Sequence, residues 1–164
     1  GDMDSLRSDV RAALPARILH GMHGQDTTDF DKALHAVRAP IVLAVGFQGA
    51  RLDHGLAVLT ALVAHARQPC IVIGSVDIVF LAPAALVLDL HIGDRLSLFP
   101  MTRVTGRSTG LRWPIDGIKF APDGMIGTSN QVVARRVRLE LDAPGMLVIL
   151  PRRRLDAAIT GLTA

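Results

Sequence analysis

Ile41-Val42-Leu43-Ala44-Val45 runs without a polar residue into Gly46-Phe47-Gln48-Gly49-Ala50-Arg51-Leu52-Asp53-His54. A continuous apolar run that ends on a glycine reads as a strand covered on both faces, the habit of parallel sheets. The loop behind it lies at the carboxyl end of that strand, the edge at which open α/β sheets take their ligands. Upstream, Phe30, Leu34 and Val37 recur at near-helical spacing in a helix expected to reach about Arg38. Downstream, Asp53 to Arg67 carries Leu56, Leu59, Leu62 and Val63 before the next buried run, Cys70-Ile71-Val72-Ile73. With a short strand expected from Arg17 to His20, the order of strand, loop, helix and strand predicts a Rossmann-like parallel sheet in residues 1–75.

The pattern changes beyond Gly74. Short β-like runs follow one another without long helical stretches: Ile78–Phe80, Leu86–Leu88, Arg95–Phe99, Arg136–Leu141 and Met146–Leu150. Gly93-Asp94, Asp123-Gly124 and Pro144-Gly145 punctuate them as turns. Strands at this spacing predict a β-sandwich in residues 76–164. The expected fold is therefore α/β followed by all-β, with the boundary near Ser75.

Apolar residues at 49% and charged residues at 20% describe a globular chain that needs no disulfide or metal to staple it. The single Cys70 sits in an apolar run and reads as a core thiol in a reducing, cytoplasmic compartment. The most apolar region, Ile71 to Leu90, is broken by Gly74, Asp77, Pro83 and Asp89, so it reads as strands and turns rather than as a membrane span. The basic clusters Arg135-Arg136-Arg138 and Arg152-Arg153-Arg154 are not interleaved with aromatics, which together make up only 4%. That argues against nucleic acid as a partner and for a solvated strand face and a charged tail. His20 and His23 lack the companions of a zinc site.

Chemistry concentrates in four places. Gln25-Asp26-Thr27-Thr28-Asp29-Phe30-Asp31-Lys32 sets three carboxylates, an amide and two hydroxyls before a helical pattern. Such a set can hold Mg²⁺, a hard ion that prefers oxygen ligands and uses one or two carboxylates together with substrate phosphates. A helix start behind it supplies free N–H groups; the alternative is that Thr28 or Asp29 only caps the helix. Asp2 and Asp4 would share one face of an extended segment, where two carboxylates repel unless a cation joins them. Ser5 behind them can cap a short helix carrying Leu6, Val10 and Ala13 and stopped at Pro15. Arg51 can fork onto phosphate oxygens, or pair with Asp53. Finally, Thr109-Gly110-Leu111-Arg112-Trp113-Pro114 holds the only Trp, and Gly127-Thr128-Ser129-Asn130 gathers hydroxyl and amide groups. Separately these read as a core Trp and a turn; together they could form a flat aromatic wall with hydrogen-bonding groups, suited to a small heterocycle.

Taken in order, these motifs resemble the thiamine pyrophosphokinase family from Gly1 to about Leu150. Gly1-Asp2-Met3-Asp4-Ser5 is similar to the family's Gly-Asp-x-Asp-Ser, Gln25 to Phe30 to its Gln-Asp-x-Thr-Asp-Phe, and Gly49 to His54 to its Gly-Gly-Arg-x-Asp-His. Gly110 to Pro114 is similar to Gly-Leu-Lys-aromatic-Pro, and Thr128-Ser129-Asn130 to Thr-Ser-Asn. The resemblance implies an enzyme that transfers a pyrophosphoryl group from ATP to the hydroxyl of thiamine with Mg²⁺, releasing AMP, and that works as a homodimer. It implies Asp2, Asp4 and Asp29 as metal ligands, and Gln25, Asp26, Thr28 and Arg51 as nucleotide and phosphate contacts. Asp29, Arg51 and Asp53 would form the catalytic set, and Trp113, Ser129 and Asn130 the thiamine side. Three departures stand out. Ala50 replaces a second Gly, Val58 replaces a usual Asn, and the family normally has further strand–helix units before its first motif. The last leads us to expect an incomplete front and an exposed apolar flank on the sheet. The alternative is a non-catalytic or truncated thiamine- or nucleotide-binding relative.

Overall fold

The computed structural model describes residues 7–13, 27–49 and 51–164. The expected Ser5 cap, the stop at Pro15, the Arg17–His20 strand, and the sites at Asp2, Asp4, Gln25 and Asp26 lie outside the described residues. The chain divides into two compact units, Gly1–Arg38 and Ala39–Ala164.

The first unit holds helices α1 (Ser8–Ala13) and α2 (Asp29–Ala36). Thr28 caps α2: its backbone is extended and its Oγ accepts from the N–H of Asp31 at 3.2 Å. Such a cap satisfies one of the donors that a helix start leaves orphaned. Phe30 and Leu34 are buried, as the near-helical spacing predicts, and Asp29 is exposed. However, α2 ends at Ala36 rather than near Arg38, and Val37, the third residue of that spacing, is the extended C-cap and is exposed.

The second unit is a mixed, sheet-rich fold with few helices. Strands β1 (Val42–Val45) and β2 (Cys70–Ile73) are parallel, joined across helix α3 (Leu52–Ala64). From β2 the same sheet continues antiparallel through β3 (Asp77–Leu81), β9 (Met146–Pro151), β5 (Arg95–Pro100) and β7 (Gly127–Gln131), six strands in all among the described residues. A second sheet of three strands places β8 (Arg136–Leu141) between β4 (Ala85–Asp89) and β6 (Gly106–Thr109). Phe80, Leu96, Leu98, Met146 and Val148 of the larger sheet meet Leu86, Leu88, Val137 and Leu139 of the smaller one in a single buried cluster. Each such side chain contributes roughly 1.5–3 kcal/mol by leaving water.

Several expectations need correction. Among the described residues β1 is not covered on both faces. It lies at the end of the sheet with β2 as its only partner among the described residues, and Leu43 and Val45 face outward at 45% and 68% exposure. Leu56 of α3 is likewise exposed, because that helix buries Val58, Ala61 and Leu62 instead. Gly127–Asn130 is not a turn but most of β7, whose register with β5 shifts between Leu96 and Leu98. With Arg152 and Arg153 exposed and the Arg154 side chain only 16% exposed, the Arg152–Arg154 segment is charged and partly solvated, but it is not a free tail. It forms a 3-10 turn leading into helix α4 (Leu155–Thr163), which packs on β4 so closely that a Cβ on Gly161 would lie 2.7 Å from the Val87 carbonyl oxygen. Asp94, buried in the turn between β4 and β5, accepts from Arg154 Nε at 2.5 Å, Arg154 Nη2 at 3.1 Å and Arg153 Nη2 at 2.8 Å. Short basic runs have no apolar period, so nothing local marked this docking.

Candidate active site

In the first unit, the exposed Asp29 occupies the first turn of α2, and its carboxylate has no hydrogen-bond partner among the described residues. It is therefore open to a cation. Carboxylate oxygens are the donors a hard divalent ion prefers, so the chemistry of this residue fits Mg²⁺. No group of three or more metal-binding side chains is assembled among the described residues.

In the second unit, the loop after β1 places Arg51 and Asp53 at the start of α3. Arg51 Nε donates to Asp53 Oδ1 at 3.1 Å and Nη2 to Oδ2 at 2.5 Å, a two-pronged pair. Asp53 Oδ1 also accepts from the N–H of His54 at 3.0 Å. The guanidinium is the main reason the Asp53 carboxyl is held down at about 2, and the pair in turn raises Arg51. Asp53 is thus ionised at neutral pH and a weak proton acceptor. Both side chains are well exposed, so the pair is screened and can exchange for another anion.

The third group is assembled where the segment that follows β6 of the smaller sheet meets β7 of the larger one. Gly110 has φ +83, and a Cβ there would lie 2.7 Å from the Arg136 carbonyl oxygen, so this turn accepts glycine and little else. Leu111 and Ile115 are buried on either side, and between them the chain bends so that Trp113 stands out at 55% exposure. The expected core Trp is therefore a surface Trp. Its backbone is nonetheless fixed: Asn130, 8% exposed, accepts from the Trp113 N–H at 3.2 Å and donates through Nδ2 to the Trp113 carbonyl at 2.7 Å. The same Oδ1 accepts from the N–H of Gln131 at 2.8 Å. A buried amide with its oxygen and nitrogen both engaged is a rigid support. Ser129 beside it has φ +60, uncommon for a residue with a Cβ, and its N–H donates to the buried Ser97 Oγ at 2.9 Å. A residue held in that region is strained by about 1 kcal/mol or more, which its surroundings must impose.

The fold therefore brings together Arg51 with Asp53, and Trp113 with Asn130 and Ser129. Three contributors were missed from sequence. Ser97 lies in an ordinary strand pattern and gave no signal. Arg112 and Gln131 stood inside or beside quoted motifs but carried no distinctive spacing.

Comparison with known families now bears on this arrangement. Residues 1–73 match the model described as thiamin pyrophosphokinase, catalytic domain, and residues 86–146 the model described as thiamin pyrophosphokinase, vitamin B1 binding domain. The chain belongs to the thiamin pyrophosphokinase family. Among curated relatives it is 31% identical to thiamine pyrophosphokinase 1 of Oryza sativa subsp. japonica and 28% identical to thiamine pyrophosphokinase 1 of Arabidopsis thaliana, in each case over 87% of this chain. It spans 61% of the length of both relatives. Its fold is similar to that of the solved thiamine pyrophosphokinase from Bacillus subtilis, with a TM-score of 0.72, 21% identity, and coverage of 92% of this chain and 76% of that one. In this thiamin pyrophosphokinase family member, Asp29, Arg51 and Asp53 fall within the catalytic match, and Trp113, Ser129 and Asn130 within the vitamin B1 match.

Proposed function

We propose that this chain is the thiamine diphosphokinase that its family membership suggests: it transfers a pyrophosphoryl group from ATP to the hydroxyl of thiamine, giving thiamine diphosphate and AMP. The observation that carries the reading is the exposed Trp113 pinned by the buried Asn130, inside the segment matched by the vitamin B1 binding model. An apolar ring presented to solvent on a rigid support is costly to maintain without a ligand, and a planar heterocycle is the ligand it fits.

The roles divide along the chain. Residues 1–75, with a Rossmann-like part, serve the nucleotide, and residues 76–164 serve thiamine. Gln25, Asp26 and Thr28 contact ATP. Asp2, Asp4 and Asp29 would hold Mg²⁺, which when bound supplies charge neutralisation for the phosphates. Arg51 leaves Asp53 to fork onto phosphate oxygens, where its charge matters most as negative charge develops. Asp53 holds the guanidinium in place until the anion arrives, and its low pKa favours that task over proton abstraction. Trp113, Ser129 and Asn130 position thiamine so that its hydroxyl attacks in line; such positioning dominates phosphoryl transfer. The protein works as a homodimer in the cytoplasm. No helix among the described residues is long and apolar enough to cross a membrane.

The test is incubation of the purified chain with ATP, Mg²⁺ and thiamine, with chromatography of the products. Thiamine diphosphate and AMP appearing together only in the complete mixture is the expected result. AMP formation that ignores thiamine would point to a hydrolase, and ligand binding with no product to a silent binding module.

A further inference from the structure

We propose that Arg112 is a specificity-determining residue: it makes the Trp113 platform hold thiamine diphosphate in preference to thiamine, so that the site favours the pyrophosphorylated ligand over the alcohol. This rests on the reading of the platform as the thiamine side of the site.

The Arg112 guanidinium carbon lies 5.2 Å from the centroid of the Trp113 ring. That is a cation–π distance, and it covers one face of the indole, so a planar ligand takes the other. The guanidinium is tethered through one nitrogen, and the backbone that carries it is held as well. Nη1 donates to Gln131 Oε1 at 3.1 Å, and the Arg112 N–H donates to the Gln131 carbonyl at 2.8 Å. Gln131 is itself tied to Asn130 Oδ1, so the residue that pins the ring and the residue that charges it share one support. Arg112 is exposed, and its Nε and Nη2 donors have no hydrogen-bond partner among the described residues.

The consequence is electrostatic. Thiamine carries a permanent thiazolium charge, and a ring stacked on Trp113 brings that charge near the tethered guanidinium, with roughly a Debye length or less between them at about 0.1 M salt. The two cations repel across the ring, and an indole already polarised by one cation is less able to attract a second on its other face. A pyrophosphoryl group reverses the sign of the ligand. Its oxygens match the free edge of a planar guanidinium, which binds phosphate in two-pronged fashion. Arg112 thereby weakens the alcohol and strengthens the diphosphate through the same charge.

The test titrates the full chain calorimetrically with thiamine and with thiamine diphosphate, for the wild type, Arg112→Met, Arg112→Lys and Trp113→Ala. Quenching of the single Trp, Trp113, reports platform occupancy independently in the variants that keep it. Arg112→Met should tighten thiamine by about threefold and loosen the diphosphate by about tenfold, the scale of one charge-assisted contact. Arg112→Lys should keep most of the preference, added salt should shrink it, and Trp113→Ala should weaken both ligands together. An Arg112→Met variant whose two affinities shift equally, or not at all, overturns the inference while leaving the thiamine reading in place. If the wild type binds neither ligand, the thiamine reading falls and this inference with it.

Discussion

Two arginine–aspartate clusters in the second unit share a chemistry and differ in everything else. Arg51 and Asp53 lie two residues apart in one loop, both well exposed. Asp94 lies 59 and 60 positions from its partners Arg153 and Arg154, and is itself only 3% exposed. Both carboxyls are held at about 2. For Asp53 the guanidinium is the leading cause. For Asp94 burial is the largest influence and pushes upward, but Arg154, the His91 N–H and Arg153 together outweigh it. Equal acidity therefore conceals unequal commitment. The exposed pair is screened and can exchange partners, as the proposed phosphate contact of Arg51 requires, whereas the buried cluster anchors helix α4 and cannot be opened without leaving a charge unpaired.

The largest effect expected on stability follows from breaking the buried cluster. Asp94→Ala removes the acceptor for two guanidinium groups, one of them largely buried, and should cost about 3 kcal/mol in denaturant unfolding, with fraying of α4 visible by hydrogen exchange. Retention of full stability would make the two clusters equivalent after all. Next comes the support beneath the platform. Asn130→Ala leaves the N–H and carbonyl of Trp113 without their partner and should cost about 1–3 kcal/mol while broadening Trp113 fluorescence.

Acid titration sharpens the contrast further. A carboxyl whose folded pKa lies below its ordinary value of 3.8 contributes stability that is complete above that value and is lost as pH falls toward about 2. Asp94 should account for about 2 kcal/mol of the loss over that window. The Asp94→Asn variant should then show a flatter profile between pH 4 and 2 than the wild type, and an unchanged slope would mean that Asp94 is not the group titrating. The smallest stability effect belongs to Arg51→Ala, which should leave the melting temperature unmoved while lowering thiamine diphosphate formation by about a hundredfold or more. A variant that melts early but still turns over would reverse the assignment of the two clusters.

Local pattern made much of this molecule legible. The run Cys70–Ile73 is a buried strand, and its thiol, pushed up to about 11 by burial, is the inert core group its apolar neighbours suggested. The strands β3, β4, β5, β8 and β9 begin and end within a residue or two of their apolar runs. β6 was missed because Gly106-Arg107-Ser108-Thr109 has only one buried side chain and no apolar alternation. β7 was hidden for the same reason: Gly127-Thr128-Ser129-Asn130-Gln131 is polar throughout and is a strand only because β5 pairs with it. Of the site, the grouping of Arg51 with Asp53 could be read from adjacency, and the pairing of Trp113 with Asn130 only as two motifs that had to meet.

The sequence by itself determined which residues are candidates to carry chemistry, and the succession of helix-period segments followed by strand-period ones, because composition, charge and short-range periodicity are properties of neighbours along the chain. Only the tertiary structure decided that β1 lies at the end of the sheet among the described residues with Leu43 and Val45 exposed, that Trp113 stands in solvent on a buried amide, and that Arg153 and Arg154 close on Asp94. Those outcomes depend on partners 17 to 60 positions away or on which strand pairs where. Burial and ion pairing are decided by what lies across a gap in space, and a linear pattern carries no measure of that gap.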